Sequence, residues 1–124
     1  LNSLFIDFRV AIIQSFADAE GCATCTAKDE KYFSRKVAIY NSLKPLLSQV
    51  QTMLEGFHIN SYILLARNER TTKIKNEVIK FPATFVLIIT GQSDIKKFYN
   101  VIGFGIPRKM EKLKEIVSSY KCKD

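Results

Sequence analysis

The stretch Ile13-Gln-Ser-Phe-Ala-Asp-Ala-Glu-Gly21 constrains the fold more than any other part of the chain. Together with the preceding Leu4-Phe-Ile-Asp-Phe-Arg-Val-Ala-Ile-Ile run it reads as one helix with two unlike faces. Phe5, Phe8, Ile12 and Phe16 recur at helical spacing and form a bulky apolar face. Ala11, Ser15 and Ala19 stand four apart and form a face of small side chains. Such a helix suits packing on a core with the first face and on another helix, at close range, with the second. Gly21 suits the left-handed position that often ends a helix. Asp18 and Glu20 fall in the last turn, where the helix dipole disfavours carboxylates. A divalent cation would compensate there; the plainer alternative is an acidic helix end solvated by water.

At 124 residues the chain reads as a single domain over residues 1–124, long enough to bury a core. Nine Phe and five Tyr give that core bulk. No run of about 18 consecutive apolar residues exists, so no membrane partner is expected. No basic region precedes the apolar start, so no signal peptide is readable, and the missing initiator Met points to a chain that is processed, trimmed or incompletely represented. A prokaryotic cytoplasm or an organelle matrix is expected ahead of secretion. Nineteen Lys and Arg against twelve Asp and Glu give a net charge of +7. That balance points to a polyanionic partner, most often nucleic acid, and on charge alone equally to a soluble protein with a basic surface. Cys22 and Cys25 resemble half of a metal motif, but residues three apart on a strand point to opposite faces, and His58 is the only histidine. Zinc is not expected, and His58 reads as a cap or turn residue.

Two strands are expected after Gly21. The first places Ala23, Cys25 and Ala27 on one face and Thr24, Thr26 and Lys28 on the other. The second, residues 34–40, places Val37 and Ile39 on one face and Ser34, Lys36 and Tyr40 on the other. Asn41 or Ser42 is expected to cap a helix with Pro45 in its first turn, carrying Leu43, Leu46, Leu47, Val50, Leu54 and Phe57 and closed by Gly56. Residues 59–67 read as a third strand and 81–90 as a fourth, with Leu87 and Ile89 in the core. The polar, basic stretch 68–80 reads as a long loop or the tip of an extended hairpin. Ser93 is expected to cap a short helix with Ile95, Phe98, Tyr99 and Ile102, stopped by Gly103. Pro107 starts a last helix with Met110, Leu113, Val117 and Tyr120 inward. Arg108 and Lys109 fall in its first turn, where positive charge is locally unfavourable unless a phosphate or water offsets it.

Two hairpins beside helices indicate an α+β fold, an antiparallel sheet with helices on one face. The other face carries Thr24, Thr26, Lys28, Ser34, Lys36 and Tyr40, with Arg67, Asn68, Arg70, Lys73 and Lys75 around the second hairpin. A wet sheet face is ordinary. The functional reading is a ribbon laid into a DNA groove, with Lys and Arg on phosphates and Thr, Ser, Asn and Tyr at base edges.

With these elements in place, the chain resembles the LAGLIDADG homing endonucleases. Residues 13–21 lie on the signature nonapeptide, with Phe16 at its second Leu, Asp18 at its first Asp, Glu20 at the catalytic acid and Gly21 at the closing Gly. The tail Phe98-Tyr-Asn-Val-Ile-Gly-Phe-Gly-Ile-Pro-Arg-Lys-Met-Glu-Lys-Leu113 and the α-β-β-α-β-β-α order agree with it. The resemblance implies a saddle-shaped sheet and a site-specific double-strand DNA endonuclease with one motif per chain. It implies a homodimer on a long near-palindromic site, or else half of a two-motif protein. Ala11, Ser15, Asp18 and Ala19 would lie at the dimer contact. Glu20 and Gly21 would form the metal site for Mg2+, or another divalent cation such as Mn2+. Gln14 and Ser15 replace the Ala-Gly of the signature. Where members often carry a Lys on the fourth strand near the metal, this chain has Ile88, which leaves Lys36 as the candidate basic group. The alternative is a weak or inactive relative that binds nucleic acid, such as a maturase acting on intron RNA.

Overall fold

The computed structural model describes residues 3–27 and 33–120. The opening helix, α1 (Ser3–Glu20), runs directly into β1 (Gly21–Ala27), which pairs antiparallel with β2 (Phe33–Asn41). Then follow α2 (Lys44–Gly56), β3 (Tyr62–Arg67), β4 (Arg70–Ile74), β5 (Glu77–Phe81), β6 (Thr84–Ile89), α3 (Gln92–Val101) and α4 (Pro107–Ser119). The main sheet is antiparallel in the order β1-β2-β6-β3, so the first hairpin meets the second through β2 and β6.

Of the two expectations for 68–80, the tip of an extended hairpin is the one found: β4 pairs with β5 in a two-stranded ribbon that extends the β3–β6 hairpin outward. Lys75 and Asn76 turn its tip with φ of 48° and 66°. Two positive-φ residues in a two-residue loop match the twist of the flanking strands. Pro82, which has no N–H to offer a ladder, lies in the break between β5 and β6. The third and fourth strands are accordingly shorter than the sequence pattern suggests.

Strand alternation sorts the sheet into two faces. Val37, Ile39, Leu87 and Ile89 are fully buried against Leu47, Leu54, Ile95, Phe98, Leu113 and Ile116 of the helices. Phe104 meets Phe98 edge-on at 5.6 Å, a favoured aromatic arrangement. Arg35 of β2 fastens the far end of α4, donating to the Ser119 hydroxyl at 2.6 Å with its guanidinium over the Tyr120 ring.

The helix ends depart from the expected caps. Asn41 accepts from the Leu43 amide at 2.8 Å, but Leu43 is the capping residue of α2 and no side chain caps its first turn. His58, with φ of 61°, takes the left-handed position beyond α2, and Gly56 remains helical. Gly91 rather than Ser93 precedes α3, and Gly103, with φ of 64°, ends that segment as the sequence indicates.

Helix α1 also turns a different side inward. Ile13 and Ala17 are fully buried, with Val10 and Phe16 packed beside them, whereas Phe8 is 64% exposed. The side chain of Phe5 lies outside the described residues. Two apolar stripes overlap on this helix, and the Val10/Ile13/Ala17 stripe is the one that meets the sheet. The short Ala17 side chain lets the helix end lie close to the start of β1. Apolar surface beyond the covered stripe remains, as on a helix awaiting a second partner.

Phe98→Ala should lower the free energy of unfolding by about 3–5 kcal/mol. Val101→Ala on the exposed side of the same helix should change it by less than about 0.5 kcal/mol. Urea denaturation of both variants checks the contrast.

Candidate functional site

The end of α1 is built by a reciprocal exchange with the start of α4. Helix α1 has no basic residue in its own last turn. Lys109 supplies one from α4, its ammonium donating to the main-chain carbonyls of Asp18 at 2.5 Å and Ala17 at 3.4 Å. In return the Asp18 carboxylate accepts from the amides of Gly105 at 2.8 Å and Ile106 at 3.2 Å, just ahead of Pro107. No side chain caps the first turn of α4; Asp18 instead holds the Gly105-Ile106 segment that leads into it. Each charge also sits at the helix end that its sign favours. The compensation that the acidic end of α1 requires therefore comes from Lys109, and the unfavourable place of Lys109 in α4 is relieved by α1.

One glycine makes this closeness possible, and a second lets α1 pass directly into β1. A Cβ at Gly105 would lie 2.7 Å from an Asp18 carboxylate oxygen. A Cβ at Gly21 would lie 2.5 Å from the Ala17 carbonyl oxygen. Gly21 is thus required by contact, not by a left-handed backbone: it opens β1, and Gly103 is the glycine with positive φ. Gln14 adds a third tie, donating to the Ile102 carbonyl at 3.0 Å.

With Asp18 turned toward α4, its carboxylate is occupied inside the chain and does not join the small-residue stripe. Ala11, Ser15 and Ala19 are exposed along one side of α1, as read from their spacing. Glu20 is exposed as well and, among the described residues, its carboxylate has no hydrogen-bond or ion-pair partner. It lines a shallow depression of about 220 Å³ with Ser15, Phe16, Ala19 and Asn41. Among the described residues no three His, Cys, Asp or Glu side chains gather to hold a metal ion. The carboxylate oxygens of Glu20 suit a hard divalent cation as one ligand, but a single chain offers only part of a site.

The second candidate region is the sheet face away from the helices. Lys36, Tyr40 and Arg67 meet there around a depression of about 410 Å³. Ala66, Thr84, Val86 and Ile88 complete its lining, and sequence reading had not placed them on that surface. Their signal was the alternation opposite Leu87 and Ile89. A register shift between Leu65 and Arg67 brings Arg67 opposite Thr84. Asn68, Arg70, Lys73 and Lys75 are exposed along the ribbon, and Arg70 lies 4.7 Å over the Phe81 ring. Thr24, Thr26 and Ser34 lie on β1 and β2 with side chains outside the described residues, and Lys28 lies outside them altogether.

Neither Lys36 nor the Ile88 position comes near Glu20. Lys36 pairs with Thr24, three residues or roughly 10 Å along β1 from Gly21. Ile88 pairs with Ala38, which pairs with Cys22, so it stands two strands or roughly 10 Å across from β1. The cation brought to the end of α1 is Lys109, whose ammonium lies on carbonyls two and three residues before Glu20. Its place on a distant helix gave no sequence signal.

The profile of the LAGLIDADG-like domain matches residues 7–103. No curated protein matches the chain in sequence. Among solved structures, the chain is similar to the archaeal intron-encoded homing endonuclease I-Vdi141I in complex with DNA. Identity is 18% and TM-score 0.59, covering 90% of this chain and 68% of that one. It is also similar to I-CvuI on a DNA target with magnesium, at 12% identity and TM-score 0.55, covering 94% and 68%. A third, I-GzeII with its DNA target, gives 16% and 0.55, covering 88% of this chain and 35% of that one. At these identities the likeness is one of fold.

Removing the exchange between α1 and α4 should be costly and non-additive. Asp18→Ala is expected to lower stability by about 1–3 kcal/mol, as loss of hydrogen bonds to a charged group does. Lys109→Met should lower it by less, and the double variant by less than the sum of the two. Thermal unfolding of the three variants measures this cycle.

Proposed function

The chain belongs to the LAGLIDADG family, and we propose that it is a divalent-cation-dependent, site-specific DNA endonuclease that works as a pair of chains on a near-palindromic site. The observation that carries this reading is the exposed Glu20 carboxylate, unpartnered among the described residues, at the end of a helix whose small-residue side is also exposed. Packing Ala11, Ser15 and Ala19 on the same residues of a second copy brings two Glu20 carboxylates to one axis. Phe8, on the same exposed side of the helix, is covered by that contact. Two carboxylates close together repel each other, and bound cations offset the repulsion.

Glu20, with the main-chain carbonyl of Gly21 beside it, would hold the cation. A bound Mg2+ or Mn2+ would supply an activated water and stabilise the attacking and leaving oxygens of the phosphodiester. The chain itself contributes position. Lys109 and Asp18 fix the end of α1, so the direction of Glu20 is set by two helices rather than by a loop. Lys36 and Arg67 are placed to neutralise phosphates, and Tyr40 and Thr84 to meet base edges. That solved relatives hold DNA on the same fold supports this use of the sheet.

Ile88 favours a second reading. It is nearly buried between Ala38 and Val86, and Lys36 does not replace it near Glu20. A chain so equipped would bind DNA or intron RNA and cut slowly or not at all.

Glu20→Gln should abolish cleavage in Mg2+ while binding to the same DNA in Ca2+ is unchanged. A normal cutting rate in this variant would sink the metal assignment. A wild-type chain that binds its site and never nicks it in Mg2+ or Mn2+ would establish the second reading. Ser15→Arg should convert pairs to monomers in sedimentation velocity without lowering the melting temperature, because Ser15 is exposed in the single chain.

A further inference from the structure

We propose that Tyr62 and Leu64 of β3, flanked by Val86 and Ile88 of β6, form an apolar strip that reads thymine methyl groups in the major groove. The inference rests on the DNA-binding reading above and names what part of the sheet recognises. Two cross-strand rows make the strip. One runs Cys22, Ala38, Ile88, Tyr62 and the next Tyr40, Val86, Leu64, each joined by strand register. Ala38, Val86 and Ile88 form a small apolar cluster of their own, separate from the main core. Tyr62 and Leu64 stand at the edge of the sheet and are 43% and 50% exposed. Large apolar side chains on a face that the helices do not cover are unexplained by folding.

The surroundings select the occupant. Lys36 and Arg67 line the same depression as Val86 and Ile88, and the ribbon beyond carries Arg70, Lys73 and Lys75. In a chain of net charge +7 this is an apolar strip inside a cationic rim, which suits a polyanion that carries apolar groups in a groove. Duplex DNA has such a group in the thymine C5 methyl, displayed in the major groove, and that groove admits a two-stranded ribbon. Same-face neighbours on a strand are roughly 6.8 Å apart, close to two base-pair steps of about 3.4 Å each. Tyr62 and Leu64 can therefore meet thymines two steps apart where the strand follows the groove.

The test begins with a binding site selected by the wild-type chain from randomised duplex DNA. Each thymine is then replaced singly by deoxyuridine, which removes only the methyl group. Burial of one methyl predicts a loss of about three- to fivefold in affinity at one or two thymines per half-site. Leu64→Ala should bind the selected site more weakly and become indifferent to deoxyuridine at its position, with an unchanged melting temperature. Deoxyuridine tolerated at every position would overturn the proposal while leaving DNA binding intact. So would a methyl dependence that persists undiminished in both Leu64→Ala and Tyr62→Ala. A chain that selects and binds no duplex DNA would overturn the endonuclease reading and this inference with it.

Discussion

The structure depends on two helix ends that complete each other. Lys109 sits on the last carbonyls of α1, and Asp18 receives the first amides ahead of α4. Each group would be poorly placed on its own helix: an acid in a C-terminal turn, a base in an N-terminal one. Crossed over, both become favourable. The crossing also divides the labour of the two acids in the motif. Asp18 is consumed in structure, while Glu20, two residues on, is exposed and has no partner among the described residues. Gly105 is the steric condition for this contact, because a side chain there would press on the Asp18 carboxylate, and Gly21 lets α1 turn directly into β1 past the Ala17 carbonyl.

The sheet turns that local arrangement into a surface. β1 continues directly from α1, so the direction of the helix and the register of the sheet are coupled through Gly21. One face of the sheet is covered by α1, α2 and α4, with α3 packed beside α4. The other collects Lys36, Tyr40, Arg67 and Thr84 from three strands that are distant in sequence. The Glu20 end of α1 and the depression around Lys36 thus lie on one scaffold, separated by roughly three residues of strand.

Much of this was legible from periodicity. Alternation in residues 34–40 identified the buried side of β2, and Pro107 and Gly103 marked real helix boundaries. The exposed Ala11/Ser15/Ala19 stripe also followed from spacing alone. What escaped was long-range or two-valued. Phe8 and Ile13 both fit an apolar helix face, and only the position of the sheet decides that Ile13 is buried and Phe8 is not. Lys75-Asn76 is not a strong turn signature, so the β4–β5 ribbon was indistinguishable from a polar loop. Lys109 lies about ninety residues from the carbonyls it meets, and no local pattern encodes such a pairing. Lys36 and Glu20 fall on neighbouring elements, yet the register keeps them apart.

The ribbon has a consequence for how such a chain changes over generations. Every residue of β4 is exposed, and β5 is only partly covered at Ile79 and Phe81. Its pairing is internal, so the core does not rely on its side chains. Substitutions there are nearly silent for folding, since surface changes away from caps and buried contacts usually cost little. A lineage can therefore rewrite the outer part of this face one residue at a time, without first acquiring compensating stability. The helix junction allows no such drift, because Gly21, Gly105, Asp18 and Lys109 are each fixed by one another.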